Sequence, residues 1–323
     1  MLKISEITRE SLNKTIEVNA LIKSFTVKQT TYGSSYADIE IYDNTGSITV
    51  KLWNLTEDMK DCLDDYTEKG IVLRFKIDVT EYRDNLSYVT NTLPEATGID
   101  LNTMFPQSKI PLSELCKRYD IIVGQIKDER YLTIIHNIMA KQVTSEHTVS
   151  DLFLNHPAGQ KVHHEKVHQL LEHTLEVVRI GLNYIRICPY PINQDIFITG
   201  TILHDIGKVV EINPYPNVEY TTIGNMLGHI YITAKWVEDA MDSIGTFTEE
   251  EKYVLINMIL GHHGEFEYGS PVRPRTPEAW LLHLSDMLSS KMNIVLKGIE
   301  ESKESGEFTE KIWPINVNLY KGQ

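Results

Sequence analysis

Thr201-Ile-Leu-His-Asp-Ile-Gly-Lys208 sets an imidazole and a carboxylate side by side on one helical turn. The pair His204-Asp205 offers a divalent ion one neutral nitrogen and one anionic oxygen, a mixture that suits Mn²⁺, Fe²⁺, Co²⁺, Zn²⁺ or Mg²⁺. Upstream, His173 lies in Gln169-Leu-Leu-Glu-His-Thr-Leu-Glu-Val177, with Leu170 three residues before it and Val177 four after, so it shares an inward face with apolar neighbours. Alone it would read as a core histidine bonded to a backbone carbonyl. Downstream, His229 stands in Leu227-Gly-His-Ile230 near a helix start, and His262-His263 follow the apolar helix Tyr253-Val-Leu-Ile-Asn-Met-Ile-Leu260. Asp286 falls inside Trp280-Leu-Leu-His-Leu-Ser-Asp-Met-Leu288, where an ionised carboxylate is costly unless a cation or donor meets it.

The surroundings of these residues are helical. From Leu112 onward apolar residues recur at helical spacing, as in Leu132, Ile135, Ile138 and Met139, or Leu171, Leu175, Val178 and Leu182. The spacing predicts an all-α domain over 112–323. The first part alternates instead, through Ile16-Glu-Val-Asn-Ala-Leu-Ile22, Ala37-Asp-Ile-Glu-Ile-Tyr42, Ser47-Ile-Thr-Val-Lys-Leu-Trp53, Gly70-Ile-Val-Leu-Arg-Phe-Lys-Ile-Asp-Val79 and Leu86-Ser-Tyr-Val-Thr90. Turns at Asp43-Asn-Thr-Gly46 and Arg83-Asp-Asn85 separate strands, and a polar helical stretch, Glu57 to Tyr66, divides the third strand from the fourth. Five strands with a helix there predict an N-terminal all-β OB-fold barrel over 1–95. Pro94, Gly98, Pro106 and Pro111 punctuate the section that follows, and 96–111 reads as a linker.

A chain of 323 residues exceeds one usual domain, which agrees with two. Cys62, Cys116 and Cys188 are odd in number and far apart, so neither a disulfide framework nor a cysteine metal site is indicated. A net charge of -14 argues against nonspecific, charge-driven binding of nucleic acid, so any such partner must be held locally. The apolar runs fall short of a membrane span and the first residues carry no secretory pattern. A cytoplasmic protein with no membrane partner is the expectation.

His173, His204-Asp205, His229, His262-His263 and Asp286, in this order and spacing, resemble the HD-domain superfamily of metal-dependent phosphohydrolases. The resemblance implies that His173, His204, Asp205 and Asp286 hold one ion. It further implies that Asp205 bridges to a second ion held by His229, His262 and His263. With the OB-like segment, His163-His164, Leu171-Glu-His-Thr-Leu175, His262-His-Gly264 and Glu267-Tyr-Gly-Ser-Pro-Val-Arg-Pro274, the whole chain is similar to the YhaM-type 3'-5' exoribonucleases of Gram-positive bacteria. That similarity implies hydrolysis of single-stranded RNA, with single-stranded DNA not separated from it, to nucleoside 5'-monophosphates. Two divalent ions are implied, manganese first and cobalt, iron, magnesium or zinc as alternatives.

Asp205, Lys208 and His263 are then the expected catalytic residues. Lys208 stands three residues after Asp205 on the adjoining helical face, and His-Asp-x-x-Lys recurs in phosphodiesterase branches of the superfamily, so a phosphate contact is expected of it. His163, His164 and His168 precede the first ligand by five to ten residues, and His164 is placed near the substrate. Arg273 and Arg275, on a stiff loop among Pro271, Pro274 and Pro277, are expected at RNA phosphates. The barrel offers Phe25, Tyr32, Tyr36, Trp53, Phe75, Tyr82 and Tyr88 with Lys23, Lys28, Lys51, Arg74 and Lys76, although some of these aromatics must form its core. The alternatives are a phosphohydrolase of free nucleotides or cyclic dinucleotides, which the OB segment disfavours, and a non-catalytic nucleic-acid-binding protein, which the intact ligand set disfavours. A homo-oligomer is left open by the sequence.

Overall fold

The computed structural model describes residues 1–159, 166–215 and 218–322. The chain divides into two units, Met1–Pro106 and Gln107–Gln323.

In the first unit the alternating segments close on themselves. β1 (Thr15–Gln29), β2 (Ser35–Asp43) and β3 (Gly46–Leu52) pair antiparallel, α1 (Glu57–Lys69) follows, and β4 (Leu73–Tyr82) and β5 (Asn85–Thr90) form a hairpin. β3 pairs with β5 in parallel and β1 returns to β4, so the strand order is 1-2-3-5-4-1, that of an OB-fold barrel. Ala37, Ile39 and Ile41 of β2 and Leu73, Phe75, Ile77 and Val79 of β4 point inward with period two. β1 is long enough to serve two partners, Thr15–Ala20 against β4 and Leu21–Gln29 against β2, and its register slips between Ile22 and Ser24, where a bulge bends the strand. The β2–β3 turn is held by the Asp43 carboxylate, which accepts from the backbone of Ile4, Thr45 and Gly46. Arg83 and Asp84 close the β4–β5 hairpin with φ of 51° and 62°, the left-handed geometry whose twist matches the strands.

The expected linker 96–111 divides between the units. A short β6 (Glu95–Ala96) pairs with β4, and Met104 and Phe105 are buried, so the stretch up to Pro106 goes with the barrel. Gln107 bridges to Val167 and belongs to the second unit.

The second unit runs α2 (Leu112–Val123), α3 (Glu129–Met139), α4 (Val149–Asn155), α5 (Gln169–Ile187), α6 (Gln194–Leu203), α7 (Lys208–Glu211), α8 (Thr222–Ile244), α9 (Glu249–Gly261) and α10 (Pro277–Glu301). Their apolar faces meet in one core that includes Leu171, Leu175, Val178, Phe197, Ile202, Val237, Leu255, Met258 and Leu282. Each of the last three helices starts on a threonine: Thr221 accepts from Gly224, Thr248 from Glu251 and Thr276 from Ala279. Such caps are worth about 1 kcal/mol each and fix where a helix begins. α5, α6, α9 and α10 pack on one another, and α7 packs on α8.

Helical periodicity misses the end of the chain. β7 (Phe308–Ile312) and β8 (Val317–Tyr320) form an antiparallel ribbon that packs on α10, where Ile312 lies over Gly298. Most of its residues are exposed, so it lacks the apolar alternation by which a strand is recognised. No helix among the described residues is long and apolar enough to cross a membrane.

Candidate metal centre

His173 lies on the buried face of α5, and most of the other expected ligands arrive from helix ends. α6 stops at Leu203 and His204 caps it, its Nδ1 donating to the Thr201 carbonyl at 2.7 Å. His262 repeats the device after α9, donating to Ile259 at 2.7 Å. Each ring thus satisfies a carbonyl left without a partner at a helix C-terminus. His229 depends on a break: Gly228, at φ 71° and ψ 155°, interrupts α8, so His229 opens a fresh helical segment. Its main-chain N–H donates to Glu211, and its Nδ1 lies 2.9 Å from both oxygens of that carboxylate. His263 donates through Nδ1 to the Tyr268 carbonyl at 2.9 Å. His173 donates through Nδ1 to Ser289 Oγ at 3.1 Å, and Ser289 donates in turn to Glu176 at 2.9 Å.

Every Nδ1–H of these five rings therefore meets an oxygen, which assigns the lone pair to Nε2, the form an imidazole needs as a metal ligand. Among the described residues, ligand atoms of His173, His204 and Asp286 lie within 4.8 Å of one another, and so do those of His229, His262 and His263. Asp205 stands between the two groups. Its Oδ2 is 3.6 Å from His173 Nε2 and 3.4 Å from His204 Nε2, while its Oδ1 is 3.3 Å from His229 Nε2 and 3.6 Å from His262 Nε2. One carboxylate oxygen thus faces each group. Neighbouring donors around an ion about 2.1 Å from each are separated by roughly 3.0–3.4 Å, close to these spacings.

The Nε2 atoms of His204, His229 and His262 and the Oδ1 of Asp205 are buried without a hydrogen-bond partner. Leaving such an atom unmatched costs about 1–3 kcal/mol, and four in one place call for a cation. The protonation states of the two carboxylates and of His262 and His263 agree. Burial would raise the pKa of Asp205, but Lys208, with Nζ 2.6 Å from Oδ2, and then His204 hold it well below the usual carboxylate range. Burial acts likewise on Asp286 and is outweighed by the hydrogen bond and charge of His173. His263 is pushed down to about 3 by burial and by neighbouring His262 and His229, and burial also lowers His262. His204 is pulled down by burial and raised more by Asp205. Near neutral pH the site presents two carboxylates and two neutral rings, His262 and His263, with Lys208 kept charged by Asp205 against the effect of burial.

A cavity of about 250 Å³ opens onto the site, its wall including His173, Asp205, Lys208, His262, His263 and Asp286. Tyr268, His283, Met287, Ser290 and Lys291 complete the lining, and none of these is singled out by the sequence pattern. His283 donates through Nδ1 to the His262 carbonyl at 2.9 Å, its ring lying against Gly264, whose φ of 82° admits no side chain there. Glu211, Ser289 and Glu176, which orient His229 and His173, are also new. Glu211 carried one local signal, a carboxylate directly after Val209-Val210.

The remaining expected contacts fare differently. His163 and His164 lie outside the described residues. His168 is buried at the start of α5, with Nδ1 2.7 Å from the Leu154 carbonyl. Arg273 and Arg275 are exposed but outside the cavity lining, and Arg273 is held by Glu265 at 2.7 Å. In the barrel, Phe75 is core, whereas Tyr36 and Trp53 stack with ring centres 4.7 Å apart and Lys51 lies over Tyr36.

Residues 170–291 match the HD domain family, a span that contains all seven expected ligands. The chain is 28% identical over 319 residues to the 3'-5' exoribonuclease YhaM of Geobacillus sp. (strain WCH70), covering 98% of this chain and 94% of that one. It is 29% identical over 322 residues to YhaM of Shouchella clausii, covering 98% and 96%, and 28% identical over 311 residues to YhaM of Listeria monocytogenes serotype 4b, covering 94% of each. A solution structure of an OB domain from Thermoplasma acidophilum aligns with 31% of this chain and 88% of its own, at 13% identity and a TM-score of 0.21. Assignment of the barrel rests on its strand order. An HD domain is a divalent-metal-binding domain, and the two donor groups supply side chains for that purpose. The chain is thus an OB-fold barrel followed by a helical HD domain, a relative along nearly its whole length of the YhaM 3'-5' exoribonucleases.

Proposed function

We propose that this protein is a metal-dependent 3'-5' exoribonuclease that shortens single-stranded RNA in the cytoplasm, releasing nucleoside 5'-monophosphates. The observation that carries the reading is the placement of Asp205 with one oxygen toward each donor group, in a chain similar to YhaM enzymes from end to end. His173, His204 and Asp286 would hold one divalent ion, His229, His262 and His263 a second, and Asp205 both. Manganese leads among the candidates, since imidazole with carboxylate accepts several ions and availability decides. Bound ions supply activation of water near neutral pH and neutralise the phosphoryl oxygens.

The chain's own residues do the rest. Glu211, Ser289 and the carbonyls of Thr201, Ile259 and Tyr268 hold the five rings in the orientation and tautomer required. Lys208, charged, at the cavity wall and 2.6 Å from Asp205, would be available to a substrate phosphate once bound ions neutralised that carboxylate. The stacked Tyr36 and Trp53 with Lys51 give the barrel a surface on which a single strand can lie, its charge moderated by Asp38, which also holds Lys28.

Incubating the metal-loaded chain with a 5'-labelled single-stranded RNA should give a ladder that descends one nucleotide at a time. Internal fragments, or no cleavage with Mn²⁺, Co²⁺ or Mg²⁺, would refute the reading. In the same assay Lys208→Ala should slow turnover by roughly 10²-fold, the scale on which one preorganised charge acts, with metal content unchanged. Loss of metal would instead assign Lys208 to holding Asp205.

A further inference from the structure

The cavity wall includes side chains that the metal site does not use. Tyr268 follows the His262-His263 pair in a short turn, and its carbonyl fixes the His263 ring, so its backbone is anchored at the metal centre. Its side chain, by contrast, is free: the residue is 65% exposed and its ring stacks on no other described residue. Lys291 lies on α10 five residues beyond Asp286, about 7.5 Å further along the helix axis. It is exposed at the cavity wall and forms no ion pair with any described residue. Lys208 is engaged by Asp205 and Arg273 by Glu265 and the Phe266 ring, and Arg275 lies outside the cavity lining. Met287, 40% exposed, adds an apolar surface to the same wall.

A cleft with metal ligands at its base, an unpartnered aromatic ring on its wall and an unpartnered ammonium beyond it matches the chemistry of a strand end: a planar base, a phosphate at the ions and a second phosphate behind it. Resting on the exoribonuclease reading above, we infer that Tyr268 stacks on the 3'-terminal base while Lys291 meets the phosphate next to the scissile one. Stacking is indifferent to base identity because every base presents a π-face, so the contact grips an end without selecting its sequence. Residue-by-residue shortening requires that indifference.

The test is fluorescence anisotropy of a 5'-labelled phosphorothioate single strand, which resists cleavage, with the full metal-loaded chain. Tyr268→Ala should weaken binding by on the order of 10-fold, while Tyr268→Phe stays within about twofold of the parent. Lys291→Met should reduce the slope of log affinity against log salt by about 0.7, the value for one single-strand phosphate contact. Tyr268→Ala should keep the parent's metal content, since the bond to His263 comes from the backbone. Binding by Tyr268→Ala equal to the parent's, weakening that Phe does not rescue, or an unchanged salt slope in Lys291→Met would overturn the assignment. Cleavage of an unmodified strand tells the two ideas apart: internal cuts would refute exonuclease action while the binding differences stand. A parent chain that binds no strand would refute both.

Discussion

Asp205→Asn should abolish turnover of RNA, by on the order of 10³-fold or more, the upper scale for loss of one preorganised charged group. The substitution keeps the shape of the side chain and removes its charge. The consequences differ between the two donor groups. The first retains Asp286, whereas the second is otherwise composed of His229, His262 and His263, so Asp205 is the anionic donor that faces it. Metal content should therefore fall by at least one equivalent, with the His229 group losing its ion first. Elemental analysis after dialysis, beside the labelled-RNA assay, measures both. Lys208 would also lose the carboxylate 2.6 Å from its Nζ, and a buried cation without a partner destabilises a fold, so thermal unfolding belongs in the comparison. A variant with full metal content and near-parental activity would exclude Asp205 as the bridge.

Glu211→Gln should weaken metal binding at the His229 group by about 10–100-fold, the usual effect of removing the partner that orients a ligating imidazole. Both carboxylate oxygens face His229 Nδ1, and one also accepts the His229 main-chain N–H. A glutamine amide keeps one acceptor but turns an NH₂ toward a ring nitrogen that already carries hydrogen. The ring must then rotate or change tautomer, and either misdirects Nε2. Metal titration should separate into two phases, with the weaker one displaced and the other unmoved, and activity should recover at high metal concentration. Equal displacement of both phases would place Glu211 elsewhere in the mechanism. Acid adds a second readout. Burial raises the Glu211 pKa, the hydrogen bond from His229 lowers it more, and the net value lies below the ordinary glutamate 4.5. Its contribution to stability is thus present above that pH and lost as pH falls through the lowered value. The glutamine variant should lack that part of the acid dependence in unfolding measured between pH 7 and pH 3.

The sequence makes the barrel legible because strand alternation is local. In β2 and β4 the inward residues are the apolar ones, and no distant partner is needed to see it. The pairing of β3 with β5 and the double use of β1 are different, since period two names a buried face and not a neighbour. The C-terminal ribbon was illegible for a related reason: its exposed residues leave no apolar pattern to read. In the site, the seven expected ligands stand out as polar groups in apolar settings or at helix ends. Glu211, Ser289 and Glu176 do not, because a supporting residue is recognisable only from what it touches. His168 shows the converse, a histidine near the site in sequence that the fold spends on the Leu154 carbonyl.

What the sequence by itself determined was therefore chemical: which side chains can bind a hard or borderline cation, and which segments alternate or wind. Tertiary structure decided direction. It turned each Nδ1 to an oxygen and each Nε2 to the interior, set the two oxygens of Asp205 toward different groups, and left Tyr268 and Lys291 bare at the mouth while engaging Arg273 elsewhere. The physical reason is range. Periodicity follows from backbone geometry over a few residues, whereas ligand geometry follows from how distant helices pack, as where His173 meets Ser289 116 residues away, and that packing is a property of the whole core.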